Sequence, residues 1–504
     1  MNTSPVLLSG IEAYIEKALK DWGIPGGALL VWKDGQVLSC RGFGVRELGK
    51  PEPMEGNTIF NIASSTKAFT ATCLGMLVDE GKLTWDDPVV KFLPDFRVYD
   101  PWITREVTLR DLLNHHLGLK RYNRVSLRNE PFDIDEFLQH FPYMEPSTAF
   151  RARFSYGNEQ YILASKVIEV VSGKPYDAFL QDRIFTPLGM VSTFPTLSHL
   201  RAAGQTNISH GHCNLDGGFV PGGVRLLDPV SALPLGDIGK NAAGCIWSNM
   251  EDLARWLEFF LGKGTFRGKN LVSPQVMEEM RTSQVAIAPR DDDLTTIFDA
   301  VNVDVHMMAY SFGWYVMDYR GHKIVVHGGN YLNGNNVIGF LPGENLGFVI
   351  FVNTYHVIAH VLLSFYLLDA LFGERIDYSA RGLEAARMWQ AGATQAVNGF
   401  LNTRKPDTLP SLPLEQYAGV YTSPLLGDLR ITQEAGKLIF SYGNAHHFDA
   451  CLQHWQDDTF VVSYHDKSTD PEFVIFEAGT GKKATALTWL DSTFTKIDRM
   501  ECLP

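Results

Sequence analysis

A serine and a lysine three residues apart, Ser64 and Lys67, are the residues of this sequence best suited to covalent chemistry. They lie in the segment Ser64-Ser65-Thr66-Lys67, within an apolar stretch that predicts a helix over residues 61–80. Because positions i and i+3 of a helix share a face, both side chains would point the same way. A lysine held out of water loses its proton more readily and can then activate a neighbouring serine. About one Ser-x-x-Lys is expected by chance in a chain of this length, so the motif alone does not establish this chemistry.

Two further polar motifs follow Ser64 along the chain. Tyr156-Gly157-Asn158 lies directly before a predicted helix that begins at Glu159, and His327-Gly328-Gly329-Asn330 ends a predicted strand. Neither motif is informative alone, because Tyr-x-Asn and His-Gly both recur elsewhere in the sequence. In this order, and with the segment FNIASSTKAFTA around Ser64, they resemble the superfamily of class C β-lactamases, D,D-peptidases and related esterases.

The resemblance implies a role in acyl transfer for each of these residues. Ser64 would attack a carbonyl carbon and form an acyl-enzyme, while Lys67 and Tyr156 would pass protons between the nucleophile, the leaving group and water. Asn158 would orient Lys67 and the substrate, and the backbone N–H groups of Ser64 and Asn330 would bind the oxyanion. Which of Lys67 and Tyr156 takes the first proton stays open, because strongly coupled groups titrate as a set.

The third motif has a bearing on the charge of the substrate. His327 stands where the β-lactam and wall-peptide enzymes of the superfamily usually have lysine. A histidine, with a pKa of about 6.5, is mostly neutral at pH 7 and offers no fixed cation to a carboxylate. The resemblance further implies that His327 supports Tyr156 or the leaving group, and that Gly328, Gly329 and Asn330 bind substrate. A neutral side chain at position 327 favours esters, amides or D-amino-acid derivatives over anionic β-lactams as substrates.

The likeness to the superfamily extends beyond the motifs and covers roughly residues 10–375. The segment Thr108–His115 is similar to the loop and helix that follow the nucleophile helix. After it, His116-Leu117-Gly118-Leu119 replaces the usual Thr-Ser-Gly-Leu, a departure that would reshape one wall of the pocket. Ala243–Ser248 is also family-like, and from Tyr417 onwards the chain resembles the lipocalin-like domain attached to some esterases and D-aminopeptidases.

The hydrophobic patterning predicts elements that could position these residues. A hairpin that turns at Asp34-Gly35 can share one antiparallel sheet with the short strands predicted over residues 311–353, while residues 84–305 are mainly helical in pattern. The resemblance and the patterning together predict an α+β fold of the β-lactamase/transpeptidase type, in which an antiparallel sheet flanked by helices lies beside a helical region. A catalytic domain is expected at 1–375, a helical linker at 376–412 and a lipocalin-like, all-β barrel at 413–504. The strands predicted for the barrel are 419–421, 428–432, 437–442, 459–464, 473–477, 484–489 and 494–497.

Composition argues against several classes of function. The 504 residues carry a net charge of −13, and an acidic surface repels nucleic-acid backbones. No segment reaches the ~20 apolar residues of a membrane span, and the N-terminus lacks the basic region of a signal peptide, so we expect a cytoplasmic protein without a membrane partner. The six cysteines are scattered, and the group His210, His212 and Cys213 is interpreted as a loop rather than a metal site. Neither a metal nor a cofactor is expected.

Together these observations predict a serine hydrolase that cleaves an ester or amide of a small molecule, with a carboxylesterase-like activity favoured. Four alternatives remain: a D-aminopeptidase or an acyltransferase of the same fold, a β-lactamase, and a non-catalytic binding or scaffold protein. The sequence leaves open whether the protein forms a homo-oligomer.

Overall fold

The structure, a computed structural model, describes residues 4–120, 133–214, 223–227, 242–289, 291–355, 357–443, 449–464, 472–479 and 483–497. The helices of these residues are, in chain order, α1 Pro5–Asp21, α2 Thr66–Asp79, α3 Pro101–Glu106, α4 Leu109–Leu113, α5 Ile134–Leu138, α6 Asn158–Ser172, α7 Tyr176–Leu180, α8 Thr186–Leu188, α9 Leu197–Ala202, α10 Met250–Leu261, α11 Pro274–Met280, α12 Asp293–Val301, α13 Ala359–Phe372 and α14 Tyr378–Leu401. The strands up to residue 352 are β1 Gly26–Lys33, β2 Gln36–Gly44, β3 Phe60–Asn61, β4 His212–Asn214, β5 Val224–Leu226, β6 Trp247–Ser248, β7 Thr265–Phe266, β8 Lys269–Asn270, β9 Val285–Ala286, β10 Val305–Ser311, β11 Trp314–Tyr319, β12 His322–Tyr331, β13 Gly334–Leu341 and β14 Leu346–Val352.

Two compact units are formed by the described residues. The first comprises most of the chain up to residue 388 and contains the large sheet. The second comprises residues 133–144 and the described residues after 388.

The large sheet of the first unit is antiparallel and joins the N-terminal hairpin to the later meander. Its strand order is β2-β1-β14-β13-β12-β11-β10-β9, so β1 pairs directly with β14 although more than 300 residues separate them. The hairpin turns as predicted, because Asp34 and Gly35 both adopt positive φ, 49° and 87°. This sheet, with helices around it, confirms the predicted β-lactamase/transpeptidase-like fold.

Helices cover both faces of this sheet. Gly27 of β1 faces Leu19 of α1, whereas Gly347, which pairs with Trp32 of the same strand, faces Leu257 of α10. Successive residues of a strand point to opposite faces, and positions 27 and 32 are of opposite parity. Helices α1 and α10 therefore lie on opposite sides of the sheet, and α13 packs beside α1.

Helix α2 forms the centre of the helical region. All residues from Thr66 to Leu77 are buried, and α6 and α11 pack against the helix. A helix that is apolar on all sides belongs in the interior of a domain. A charged side chain at the start of α2 is consequently removed from water.

The second unit contains a closed antiparallel barrel, which confirms the predicted all-β domain. Its strands, in order around the barrel, are β15 Gly419–Ser423, β16 Gly427–Glu434, β17 Lys437–Tyr442, β18 Ala450–Gln456, β19 Thr459–Tyr464, β20 Glu472–Ala478, β21 Ala484–Trp489 and β22 Ser492–Ile497. Side chains fill the interior, as expected for a barrel of eight strands. The buried apolar residues include Leu429, Ile431, Phe440, Phe460, Phe476, Trp489 and Phe494.

Along the part of the chain that the structure describes, the helices fall short of the length and apolar character needed to cross a bilayer.

Candidate active site

The serine of the Ser-x-x-Lys motif lies in a tight turn that precedes α2. Strand β3 leads into a 3₁₀ turn over Ala63–Ser65, and the α-helix begins only at Thr66, not near residue 61 as predicted. Ala63 has a φ of 47°, a left-handed conformation that is unfavourable for a residue with a side chain. Its N–H donates to Oδ1 of Asn61 at 2.7 Å, which helps to hold this conformation. The half-buried Ser64 is thus fixed in front of the N-terminus of α2.

Lys67 is completely buried, and its Nζ lies at hydrogen-bond distance from an oxygen atom of Ser64, Asn158 and Ala243. Nζ lies 3.1 Å from Ser64 Oγ, 2.8 Å from Asn158 Oδ1 and 3.0 Å from the carbonyl oxygen of Ala243. The amide and carbonyl oxygens can only accept hydrogen bonds. A neutral amine would therefore donate its two N–H groups to Asn158 and Ala243 and direct its lone pair at the hydroxyl of Ser64. The geometry allows a proton to move from Ser64 to Lys67.

Tyr156 lies against the same lysine. The Lys67 Nζ is 4.7 Å from the centre of the Tyr156 ring, within the range of a cation–π contact. The ring of Tyr156 also packs against His115, and the two ring centres are 4.4 Å apart. The structure thus brings Ser64, Lys67, Tyr156 and Asn158 together, although Lys67 and Asn158 are 91 residues apart in the sequence.

His327 lies on β12 near these residues and is almost fully buried, with 1% of its surface exposed. Its Nδ1 is 2.7 Å from the carbonyl oxygen of Gly328, so Nδ1 carries the proton, and its Nε2 accepts from the hydroxyl of Tyr310 at 3.0 Å. Burial, together with the nearby charge of Lys67, lowers the pKa of His327 to about 3. The side chain is therefore neutral at pH 7 and supplies no positive charge.

The rest of the third motif lies along an edge of β12 that adjoins the nucleophile turn. Among the described residues, β12 pairs with β11 as far as Val326 and with β13 as far as Tyr331. Gly329 approaches the turn so closely that an added Cβ would lie 2.2 Å from the carbonyl oxygen of Ile62. Asn330 is exposed at the same edge, and Gly328 is half-buried.

This close approach predicts different responses to alanine at the two glycines. For Gly329→Ala we expect a lower melting temperature and a loss of roughly 1–3 kcal/mol of unfolding free energy, because the methyl group would overlap backbone atoms. At Gly328 the nearest atom to an added Cβ is 3.6 Å away, an ordinary contact, so Gly328→Ala should change the melting temperature much less. Thermal denaturation of both variants checks this, and equal losses would contradict it.

Two buried histidines predict a loss of stability at acid pH. Burial lowers the pKa of His327 and of His360, on α13, to about 3, whereas a histidine in an unfolded chain titrates near ~6.5. Between these values the unfolded chain binds protons that the folded protein does not, so the free energy of unfolding decreases as the pH falls from about 6.5 towards 3. Replacing His360 by leucine should reduce this dependence by roughly 1.4 kcal/mol per pH unit between about pH 4 and 6. Denaturant unfolding at several pH values measures the slope, and an unchanged slope would refute the assignment.

The group at residues 210–213, interpreted from the sequence as a loop, lies partly on β4, which begins at His212 and pairs with β5. The Nε2 of His212 accepts from the N–H of Leu48 at 2.9 Å, and its Nδ1 lies 3.0 Å from the carbonyl oxygen of Asn353. His212 thereby links the turn after β2 to the end of β14. In the described part of the chain, no cluster of three or more His, Cys, Asp or Glu side chains has the arrangement of a metal site.

Three groups in the site were not found by reasoning from the sequence. The carbonyl oxygen of Ala243 is a backbone atom without a residue signature, although the segment that carries it was noted as family-like. Tyr310 becomes a partner of His327 only through the pairing of β10, β11 and β12. His115, noted within a family-like segment, contacts Tyr156 and accepts at Nδ1 from the N–H of Gly157 at 3.2 Å.

Comparisons with known proteins identify the family of the chain. A model of the family described as Beta-lactamase matches residues 11–368, and a domain of unknown function, DUF3471, matches residues 403–500. A curated relative, the unguisins hydrolase ungD of Aspergillus violaceofuscus, is 27% identical over 497 residues, which cover 92% of this chain and 84% of the relative.

Solved structures show the same fold at low sequence identity. The octameric penicillin-binding protein homologue from Pyrococcus abyssi superimposes with a TM-score of 0.60 at 21% identity, covering 97% of this chain and all of the homologue. The D-amino acid amidase from Ochrobactrum anthropi superimposes with a TM-score of 0.59 at 23% identity, covering 73% of this chain and 99% of the amidase. Since the family model matches well over half of the sequence, the chain belongs to the Beta-lactamase family and is a serine hydrolase.

Proposed function

We propose that the protein hydrolyses an uncharged carboxylic ester or amide of a small molecule through an acyl-enzyme on Ser64, with esters preferred. The observation that carries this proposal is the position of the buried Lys67, whose Nζ lies 3.1 Å from Ser64 Oγ while two oxygen acceptors fix its other hydrogen bonds. A lysine in this arrangement is suited to take the proton of a nucleophilic serine.

The reaction proceeds in two halves. Ser64 Oγ bonds to the substrate carbonyl carbon as its proton passes to Lys67 or Tyr156, and the N–H groups of Ser64 and Asn330 bind the resulting oxyanion. When the tetrahedral intermediate collapses, the bond to the leaving group breaks and that group receives the proton. Water then attacks the acyl-enzyme by the same route, releasing the carboxylic acid and regenerating Ser64.

The charge of the site supports an uncharged substrate. His327 is neutral, and both of its ring nitrogens are engaged by Gly328 and Tyr310. Among the described side chains of the three motifs, the other group that can carry a positive charge is Lys67, whose Nζ is already engaged by Ser64, Asn158 and Ala243. A substrate carboxylate would therefore lack the fixed positive partner that lysine supplies at the third motif in β-lactam enzymes, which argues against a β-lactamase.

A second candidate is the hydrolysis of D-amino-acid amides. It is favoured by the likeness of the fold to the D-amino acid amidase from Ochrobactrum anthropi, nearly all of which superimposes on this chain. The same three motifs would carry out this reaction, so the two candidates differ in the acyl group and not in the mechanism.

Labelling and turnover assays together test both candidates. A fluorophosphonate should add once, and peptide mapping should place the adduct on Ser64. p-Nitrophenyl acetate and butyrate should be turned over faster than D- or L-amino acid amides and a chromogenic cephalosporin. Faster turnover of the D-amides would favour the second candidate, and product formed only with an added alcohol or amine would indicate an acyltransferase. Absence of both adduct and turnover would contradict the proposal and favour a non-catalytic protein.

A further inference from the structure

A buried asparagine on β13 contacts both sides of the nucleophile turn. Asn336 is fully buried, and its Oδ1 accepts from the hydroxyl of Ser65 at 2.9 Å. Its Nδ2 donates to the carbonyl oxygen of Ile62 at 3.1 Å. One side chain thus holds the residue that follows Ser64 and the residue two positions before it.

The same side chain is packed against β12. Asn336 is the cross-strand partner of Gly329, and a Cβ at Gly329 would lie 2.3 Å from Nδ2 of Asn336. The hydroxyl of Ser65 also lies 3.2 Å from the carbonyl oxygen of His327. The turn, β12 and β13 therefore meet at the side-chain amide of Asn336. This amide can extend past β12 to the turn because its cross-strand partner, Gly329, has no side chain in the way.

This junction connects the two elements that carry the donors of the proposed oxyanion hole. One N–H donor, that of Ser64, belongs to the turn, whereas the other, that of Asn330, belongs to β12. Preorganised donors stabilise an oxyanion only when both lie at hydrogen-bond distance from it, and displacements of about 1 Å are costly. Whatever fixes the separation of the turn from β12 also fixes the separation of the donors.

We propose that Asn336 is a positioning residue that sets the distance between the two oxyanion donors. The proposal rests on the proposed acyl-enzyme at Ser64. Asn336 contacts Ser65 and Ile62 and acts through them. Its loss should slow acyl transfer while leaving the binding of substrate nearly unchanged.

The neighbouring residue provides a matched control. Asn335 is also fully buried on β13, and its Nδ2 donates to the carbonyl oxygen of Val357 at 2.9 Å. Adjacent residues of a strand point to opposite faces, so the side chain of Asn335 leads away from the nucleophile turn. Asn335→Ala and Asn336→Ala each remove one buried amide from the same strand and should lower the melting temperature alike.

The experiment compares kcat and KM for p-nitrophenyl butyrate, the rate of fluorophosphonate labelling and the melting temperature of the full-length variants. For Asn336→Ala we expect kcat and the labelling rate to fall roughly 10- to 100-fold, with KM within about threefold of the wild type. For Asn335→Ala, kcat should stay within about threefold. If Asn336→Ala keeps the wild-type kcat, or if Asn335→Ala loses as much, the positioning role is wrong.

The variant Ser65→Ala tests the inference even if Asn336→Ala does not fold. Ser65→Ala removes the hydroxyl from the other side of the junction and should lower kcat about tenfold at unchanged KM. When Asn336→Ala does fold, the double variant Ser65→Ala/Asn336→Ala should be little slower than Asn336→Ala, because both changes break the same hydrogen bond. Unchanged kcat in Ser65→Ala, or additive losses in the double variant, would overturn the inference.

The labelling arm separates this inference from the proposed function. If the wild type is not labelled on Ser64, the proposed function fails, and this inference fails with it. If the wild type is labelled and Asn336→Ala is labelled at the same rate, only the inference about Asn336 fails.

Discussion

Replacing Ser64 by alanine is expected to abolish covalent labelling and to lower kcat/KM for p-nitrophenyl esters on the order of 10⁴-fold or more. The proposed mechanism forms its only covalent bond to substrate through Ser64 Oγ, and an alanine has no atom that could replace it. The adjacent Ser65 cannot substitute for the nucleophile. Only 1% of its surface is exposed, and its hydroxyl donates to Asn336.

Intact-mass analysis after incubation with a fluorophosphonate, run beside the ester assay, measures this effect. A suitable control is Ser165→Ala, because Ser165 is a buried serine of α6 whose hydroxyl donates to the carbonyl oxygen of Ile162. The control should be labelled and active. An adduct on Ser64→Ala, or turnover close to that of the wild type, would mean that the nucleophile lies elsewhere.

The second large effect is expected at Lys67. Replacing it by methionine should lower kcat/KM by roughly 10²- to 10⁴-fold, the usual contribution of a general base, because Ser64 would lose the group that takes its proton. Replacing it by arginine should be as damaging, because a guanidinium keeps its proton at every pH that the protein tolerates. An electrostatic role alone would be preserved in the arginine variant, so this pair distinguishes a proton acceptor from a fixed charge.

Ester turnover, fluorophosphonate labelling and circular dichroism of both variants test this expectation. Lys67 is buried, so the methionine variant loses the cost of burying a charge but leaves the oxygens of Asn158 and Ala243 without that donor. The exposed Lys323 of β12 offers a control, and Lys323→Met should keep its activity. If Lys67→Met and Lys67→Arg are folded and retain more than about a tenth of the activity, Tyr156 rather than Lys67 takes the first proton.

Local patterns in the sequence, together with the resemblance to the superfamily, predict the fold class. Asp34-Gly35 between two apolar runs predicts a tight hairpin, because its residues tolerate positive φ, and the structure has that hairpin. Alternating residues predict most strands of the C-terminal domain, where one face is buried in a closed barrel. Motif order and resemblance also selected Ser64, Lys67, Tyr156 and Asn158, and the structure brings these side chains together.

Other features depend on contacts between distant segments, which no local pattern encodes. The sequence does not predict strand β18, Ala450–Gln456, because polar residues make up much of it, and in the structure only Ala450 and Leu452 of this strand are buried. It is a strand because the barrel closes through it. In the same way, α2 starts at Thr66 because the preceding residues are held in a 3₁₀ turn by the side chain of Asn61.

The local sequence indicates which residues are chemically suited to acyl transfer, whereas contacts between distant segments set the surroundings of these side chains. Residue types and spacing are local properties, so Ser64 and Lys67 can be recognised along the chain. The acceptor at Ala243 is a backbone oxygen, and any residue type could supply it. Tyr310 and Asn336 reach the site only because strand register aligns β10 to β13, and register is set by packing of the whole sheet.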